Sequence, residues 1–445
     1  MDLFAYYYEK FSSYDAGEQK YPYCTYEFLK DNLPAFSCSD KNIEEIYYFR
    51  AYTFSKHIRK DENGKHVITE WLNVPWENLP ISCAVGHHLS ELKWFKNASQ
   101  IGKDYIDYWC ENQERLLVYN NWFVYAVWEY CFATGNMDFA YAKADKLEEY
   151  FLQFESMHKS RLGIYKGVDN YDGMELSISG YGLRPTINSY VYANAFGLYK
   201  IYEYGKDFEK AEKYKAFAKD LKEKINQRLF IEDFYYNQPI GLFEEMPRLL
   251  PRFSNQNQDF NVKELIGYVP FYFGIAEKEH LIAWKYFSDK AVFSAPYGLT
   301  TADMSHPQFK YEFPHMCLWN GPVWPYATSQ TLTALAKTLR EYKDLPIGKK
   351  EFCAALKTYA MSQYITLDSI TRPWIDEDLD GHTGEWLARN ELIRGNREDK
   401  ERGKDYNHST FIDLVLGGLC GMKKDENGVS YASLADEELV WELKE

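Results

Sequence analysis

Apolar residues recur at the spacing of a single helix face over about twelve separate stretches of the chain, while strand-like alternation is scarce. The first stretch, Asn42–Lys60, follows Ser39-Asp40, a pair suited to accepting the free N–H groups of a helix start. Further helices are predicted at 82–96, 99–113, 120–135, 137–157, 185–204, 207–228, 259–275, 279–287, 321–343, 347–366 and 407–421. The best strand candidate is short, His66–Leu72, and the tail after Met422 reads as a small strand or helix appendage. Twelve helices taken in pairs predict an all-α fold, an (α/α)6 toroid with long loops and little β structure. A helical solenoid is the rival, but its repeats would be shorter and more alike. The expected division is an N-terminal extension over 1–38, the barrel over 39–422 and an appendage over 423–445.

Charge and composition narrow the partners. Asp and Glu outnumber Lys and Arg, 66 to 51, for a net charge of −15, with no basic stripe to hold phosphates, so nucleic acid is excluded. No apolar run is long enough for a membrane span, and the first residues lack a basic-then-apolar leader, so a cytoplasmic protein is expected. The eight cysteines form no C-x-x-C pair and read as buried thiols. Asn97-Ala98-Ser99 and Asn407-His408-Ser409 match the glycosylation pattern by coincidence on that reading. Aromatic residues reach 18%, Tyr above all. Rings with polar tips suit a cleft for sugars, which present C–H patches inside a rim of hydroxyls.

The irregular stretches 64–81, 158–184, 288–320 and 367–405 are long, and long loops on a rigid scaffold usually carry chemistry. Val168–Pro185 gathers Asp169, Asp172 and Glu175; between Met174 and Leu176, Glu175 is placed to be desolvated and to serve as a general acid. A solvated acidic loop fits the same spacing. Pro314–Leu332 sets Trp319, Asn320 and Trp324 around a Gly-Pro turn into a helix, either as a sugar-binding wall or as core packing. Arg372–Trp386 crowds Asp376, Glu377, Asp378, Asp380 and Glu385 beside Trp374 and Trp386, which suits a general base. Its Asp376-x-Asp378-x-Asp380-Gly381 run imitates half a calcium loop, but Leu387 stands where the bidentate Glu is needed, so no metal is expected. In Gly86–Asn97 the adjacent His87 and His88 cannot share a face as metal ligands, while Glu91, Trp94 and Lys96 are pocket candidates. In Asp405–Phe411, Ser409 reads as a helix N-cap. No phosphate loop, nucleophile elbow or dinucleotide fingerprint is present, and no cofactor is implied.

Together, three of these segments resemble one clan of inverting (α/α)6 glycoside hydrolases, which contains trehalase, processing α-glucosidase I and bacterial mannosylglycerate or glucosylglycerate hydrolases. Gly173–Glu175 with Ser177 resembles the general-acid segment, Trp319–Tyr326 (WNGPVWPY) the sugar-lining block, and Glu377–Glu385 the general-base segment. Tyr406–Phe411 falls at the family's aromatic-Ser-aromatic helix entry, and the resemblance spans roughly 40–422. It implies Glu175 as acid, with Asp172 as the alternative, and Glu377 as base. Trp319, Asn320, Trp324, Arg184, Asn188, His408, Trp76, Trp94 and Trp374 are implied to bind a carbohydrate substrate, a terminal α-linked hexose, glucoside- or mannoside-like. Two departures stand out: the acid is usually Asp in the family, and the family's Trp-Asp pair is replaced here by Trp94-Phe95-Lys96-Asn97. Two other functions remain open, a sugar epimerase on the same scaffold working through His87, His88, His315 or His408, and a non-catalytic glycan-binding protein.

Overall fold

The computed structural model describes residues 2–15, 21–72, 74, 79–240, 257–311, 317–425 and 428–444. Among them, helices alternate between an outer and an inner position. The outer set is Lys41–Lys56, Ser99–Glu111, Ala144–His158, Phe208–Leu229, the 3-10 segment Lys278–Tyr286 and Lys349–Ser362. The inner set is Val85–Leu92, Phe123–Ala133, Pro185–Tyr204, Val269–Tyr272 continuing the 3-10 turn Leu265–Tyr268, Pro325–Glu341 and the π-helix Leu414–Leu419. Each inner element packs on the next in that order. This is the (α/α)6 toroid expected from the periodicity.

Burial differs sharply between some inner and outer helices. Every residue of Val85–Leu92 is buried, as expected of a helix surrounded on all sides. Outer helix Phe208–Leu229 instead buries one stripe, Ala211, Tyr214, Ala218, Leu221, Ile225 and Leu229. Close inner packing needs small residues: a Cβ at Gly197 would lie 2.8 Å from the Val124 carbonyl oxygen on the neighbouring helix. Helix starts follow the sequence signals. Asp40 accepts from the N–H groups of Asn42 and Ile43 at 3.0 and 3.1 Å, and Pro185 and Pro325 open their helices.

The ring closes between its first and last inner elements. The Glu91 carboxylate accepts the backbone N–H groups of Phe411, Ile412 and Asp413, the last two at 3.1 and 3.0 Å. Arg50, on the first outer helix, donates to the Ser409 carbonyl at 2.7 Å, the Ser409 hydroxyl at 3.0 Å and Gln363 at 3.1 Å. Ser409 is therefore not the N-cap that its position suggested; Glu91 does that work from across the ring. Four expected helices are also modified, and the 137–157 stretch breaks at Lys143 into Met137–Ala142 and Ala144–His158. Pro270 and Gly274, the latter with φ of 71°, confine the 259–275 stretch to one short helix. The 279–287 stretch is 3-10, and the last inner helix widens to π geometry beside Gly417 and Gly418.

The β structure consists of two-stranded pairs. His66–Ile68 pairs with Ile58–Lys60, within the expected strand. The tail forms the hairpin Met422–Asp425 with Gly428–Tyr431, and its end, Trp441–Lys444, pairs with Ala35–Cys38. Among the described residues, no helix is long and apolar enough to cross a membrane. Because Glu91→Ala would orphan three buried donors, it should cost about 3 kcal/mol or more. The check is the midpoint of urea unfolding, and an unchanged midpoint would remove this carboxylate from the seam.

Candidate active site

The loops that enter the N-terminal ends of the inner helices meet over the middle of the ring. The Pro314–Leu332 block ties two of them together. Trp319 N–H donates to the Glu175 carbonyl at 3.0 Å, and Val323 and Leu379 exchange backbone hydrogen bonds at 2.9 and 3.0 Å. Segments some two hundred residues apart are thus fastened to one short strip of chain. Glu175 sits between Gly173 and Leu176, both in the left-handed region at φ of 68° and 61°. For Leu176 that conformation is strained, and the strain turns the chain sharply beside the carboxyl group.

Glu377 is 1% exposed. The Cys317 thiol donates to one of its oxygens at 3.1 Å, and the Arg402 guanidinium approaches the other at 3.3 Å. Desolvation foremost, helped by the charges of Asp169 and Glu377, pushes Glu175 up to about 7. Trp319 and Trp324 stack at 4.5 Å, Trp324 Nε1 donates to the Leu318 carbonyl at 2.5 Å, and His408 lies against Trp324, Tyr326 and Tyr406. Asn320 Oδ1 is buried and has no hydrogen-bond partner among the described residues.

Other expected residues serve the scaffold. Asp172 accepts from Asn120 at 2.7 Å, Arg184 Nε at 2.7 Å and Thr186 at 2.5 Å. Arg184, fully buried, also donates to Ser177 and the Gly180 carbonyl, and Asn188 donates to the Tyr165 and Arg184 carbonyls. These three side chains hold the acid loop together. Trp94 donates to Asp413 at 2.9 Å at the opposite ends of the inner helices, away from the carboxylates. Trp374 is 2% exposed and bonds Asp376 beneath the base loop. His88 is spent on Tyr105 and the Asn407 carbonyl; burial drives His87 down to about 3 and His88 to about 4. Trp76 and His315 lie outside the described residues.

The aspartates of the calcium-like run do not converge. Asp376 accepts from Glu377 N–H, Asp378 from Ala388 N–H, and Asp380 from the N–H groups of His382 and Thr383. Among the described residues, no group of three His, Cys, Asp or Glu side chains is arranged for a metal.

Several site residues escaped the sequence reading. Glu70, 2% exposed, accepts from the Cys83 thiol at 3.0 Å. Desolvation above all, with a contribution from the Glu377 charge, pushes it up to about 8. Tyr119, Cys83 and Cys317 all feel the Glu175 charge, and Trp71 packs on Tyr406 at 4.3 Å. The available signal was Glu70 itself, a carboxylate inside the apolar run Val67–Leu72.

A family model for the mannosylglycerate hydrolase MGH1-like glycoside hydrolase domain matches residues 78–409. The chain belongs to this family. Glu175 and Glu377 both lie inside the matched span of the glycoside hydrolase domain, and Glu70 lies just before it. A solved structure named "Sialidase" is 30% identical, with a TM-score of 0.84 over 97% of this chain and 39% of that one. The chain thus spans about two fifths of that protein's length. A bacterial glucoamylase complexed with acarbose is 12% identical, with a TM-score of 0.58 over 88% of this chain and 57% of that one. A GH78 family rhamnosidase of Bacillus sp. GL1 is also 12% identical, with a TM-score of 0.55 over 88% of this chain and 36% of that one. These last two show a shared fold. A comparison with curated proteins finds no match.

Asp172→Asn would leave Arg184 buried beside a neutral partner and should destabilise the domain by about 3–5 kcal/mol. Glu175→Gln should leave the unfolding midpoint nearly unchanged. Equal midpoint losses in the two variants would contradict this division between scaffold and site.

Proposed function

We propose that this glycoside hydrolase domain cleaves a glycosidic bond with inversion of configuration. It releases a terminal sugar, an α-linked hexose of glucoside or mannoside type, from a small glycoside or oligosaccharide. The observation that carries the reading is the fastening of Glu175 and Glu377 to one aromatic block, close enough for the charge of one to raise the other. Glu175, protonated below about pH 7, gives its proton to the leaving oxygen. Glu377 takes a proton from a water that attacks the opposite face of the ring, and inversion requires a gap of roughly 6.5–9.5 Å between the two carboxyl groups for that water. Asp172, with its oxygens committed to Arg184, Thr186 and Asn120, is the poorer acid. Trp319, Trp324 and His408 supply ring faces, and Asn320 Oδ1 is the acceptor best placed for a sugar hydroxyl.

The structure named "Sialidase" raises the question of an anionic sugar. The local chemistry favours a neutral one: Glu70, Glu175 and Glu377 influence one another, and Arg402 is already paired with Glu377. An epimerase working through His88 is disfavoured by that ring's two structural bonds.

Glu377→Gln and Glu175→Gln should each lose about 10²-fold or more in kcat on nitrophenyl glycosides, and NMR should show the anomer opposite to that of the substrate released first. Retention of configuration, or full activity in either variant, overturns the assignment. In the parent enzyme, kcat/KM should fall as pH rises through about 7, where Glu175 loses its proton. Cys317→Ala removes a donor to the base and makes Glu377 more basic, so the acidic limb of the same profile should move to higher pH, with Cys317→Ser moving it back.

A further inference from the structure

The opposite end of the toroid contains a second cavity. Its volume is about 380 Å³, within the usual range for a small-molecule site. The catalytic loops precede the inner helices, whereas this cavity takes Lys93 and Trp94 from just beyond Val85–Leu92, Trp128 and Glu129 from the middle of Phe123–Ala133, Lys337 and Arg340 from the last turns of Pro325–Glu341, and Asp413 and Gly417 from the start and middle of the last inner helix. None of these residues is used in the proposed hydrolysis.

Three independent features converge on this cavity. The first is a mixed array of cations and carboxylates. Lys93 lies 2.9 Å from Asp413 and 3.6 Å from Glu129. Among the described residues, Lys337 has no carboxylate within ion-pair range; it donates to Tyr125 at 3.4 Å and to the Tyr272 carbonyl at 3.2 Å. The lining carries four cations, Lys93, Lys337, Arg340 and Lys423, against the two carboxylates Glu129 and Asp413, and it sets donors and acceptors side by side. Arg340 is spent on the Ala336, Gly418 and Ala432 carbonyls.

The second feature is aromatic. Trp128 is half-buried and Phe132 is 49% exposed at the rim, so flat apolar surface borders the polar floor. The third is the π-helix Leu414–Leu419, a rare geometry often found at functional sites. Its Gly417 keeps the floor open, because a Cβ there would lie 3.1 Å from both the Trp94 ring and the Asp413 carboxylate. Aromatic faces beside donors and acceptors match a polyhydroxylated ring.

We propose that this cavity is a non-catalytic carbohydrate site for a hexose-sized pyranose ring. Trp128 stacks on the C–H face of the sugar, Glu129 and Asp413 accept from its hydroxyls, and Lys337 donates to a hydroxyl oxygen. The inference does not depend on the hydrolytic assignment, since it uses none of the same side chains.

The test is saturation-transfer NMR with methyl α-D-glucopyranoside, methyl α-D-mannopyranoside and methyl β-D-galactopyranoside. It uses the full chain and its Trp128→Ala and Glu129→Gln variants, each in a Glu175→Gln/Glu377→Gln background to prevent turnover. At least one glycoside should lose part of its transfer signal in both variants. The same two substitutions in the active enzyme should leave kcat/KM on nitrophenyl glycosides unchanged. No signal from any of the three sugars, or signals equal in all backgrounds, overturns the proposal. A loss confined to variants whose thermal midpoint has fallen also counts against it, because it assigns these residues to packing.

Discussion

The fold depends on closing a ring whose two ends are far apart in sequence. A carboxylate in the buried helix Val85–Leu92 receives three N–H groups from residues 411–413. Bringing such distant segments together carries a loop-closure cost that local helix formation does not offset. The seam answers that cost with charge: Glu91 caps the last inner helix from outside it, and Arg50 grips the Ser409 carbonyl and hydroxyl. The loops bearing Glu70 and His408 flank this same seam. Asn407 N–H donates to the Glu70 carbonyl at 3.0 Å, so closing the ring also assembles one wall of the candidate site.

Within that frame the acidic residues divide by their partners. Asp172, Asp376 and Asp378 face backbone N–H groups or buried donors and hold their loops in shape. Glu175 is left to the hollow, and Glu377 is met there by a thiol and one guanidinium. Desolvation acts on all of them, but only a carboxyl whose proton is not tied to the scaffold can pass it to a substrate. The WNGPVWPY block acts as a clasp, joined by backbone bonds to the acid loop on one side and to the base loop on the other.

Much of this was legible in the sequence, for local reasons. The helix periodicity, the Asp40 cap and the Pro185 and Pro325 starts are encoded within a few residues, and the structure follows them. The three chemistry-bearing segments were legible as motifs. What the sequence could not show is direction: Arg184 and Asn188 look like ligand-binding groups until Asp172 and Tyr165 are seen to take them. Trp94 belongs to a different end of the barrel from Trp319, a distinction that only the ring topology makes. Ser409 carries the residue type of a cap, yet its hydroxyl is taken by Arg50. Glu70 was hidden for the opposite reason, lying in a run that reads as a buried strand.

The thiols beside the carboxylates have a consequence of their own. Burial and neighbouring negative charge hold Cys83 and Cys317 well above the ordinary thiol range. Sulfur reacts with oxidants and electrophiles chiefly as thiolate. Two half-buried cysteines can therefore sit beside the candidate carboxylates and remain chemically quiet, guarded by the very acids they touch.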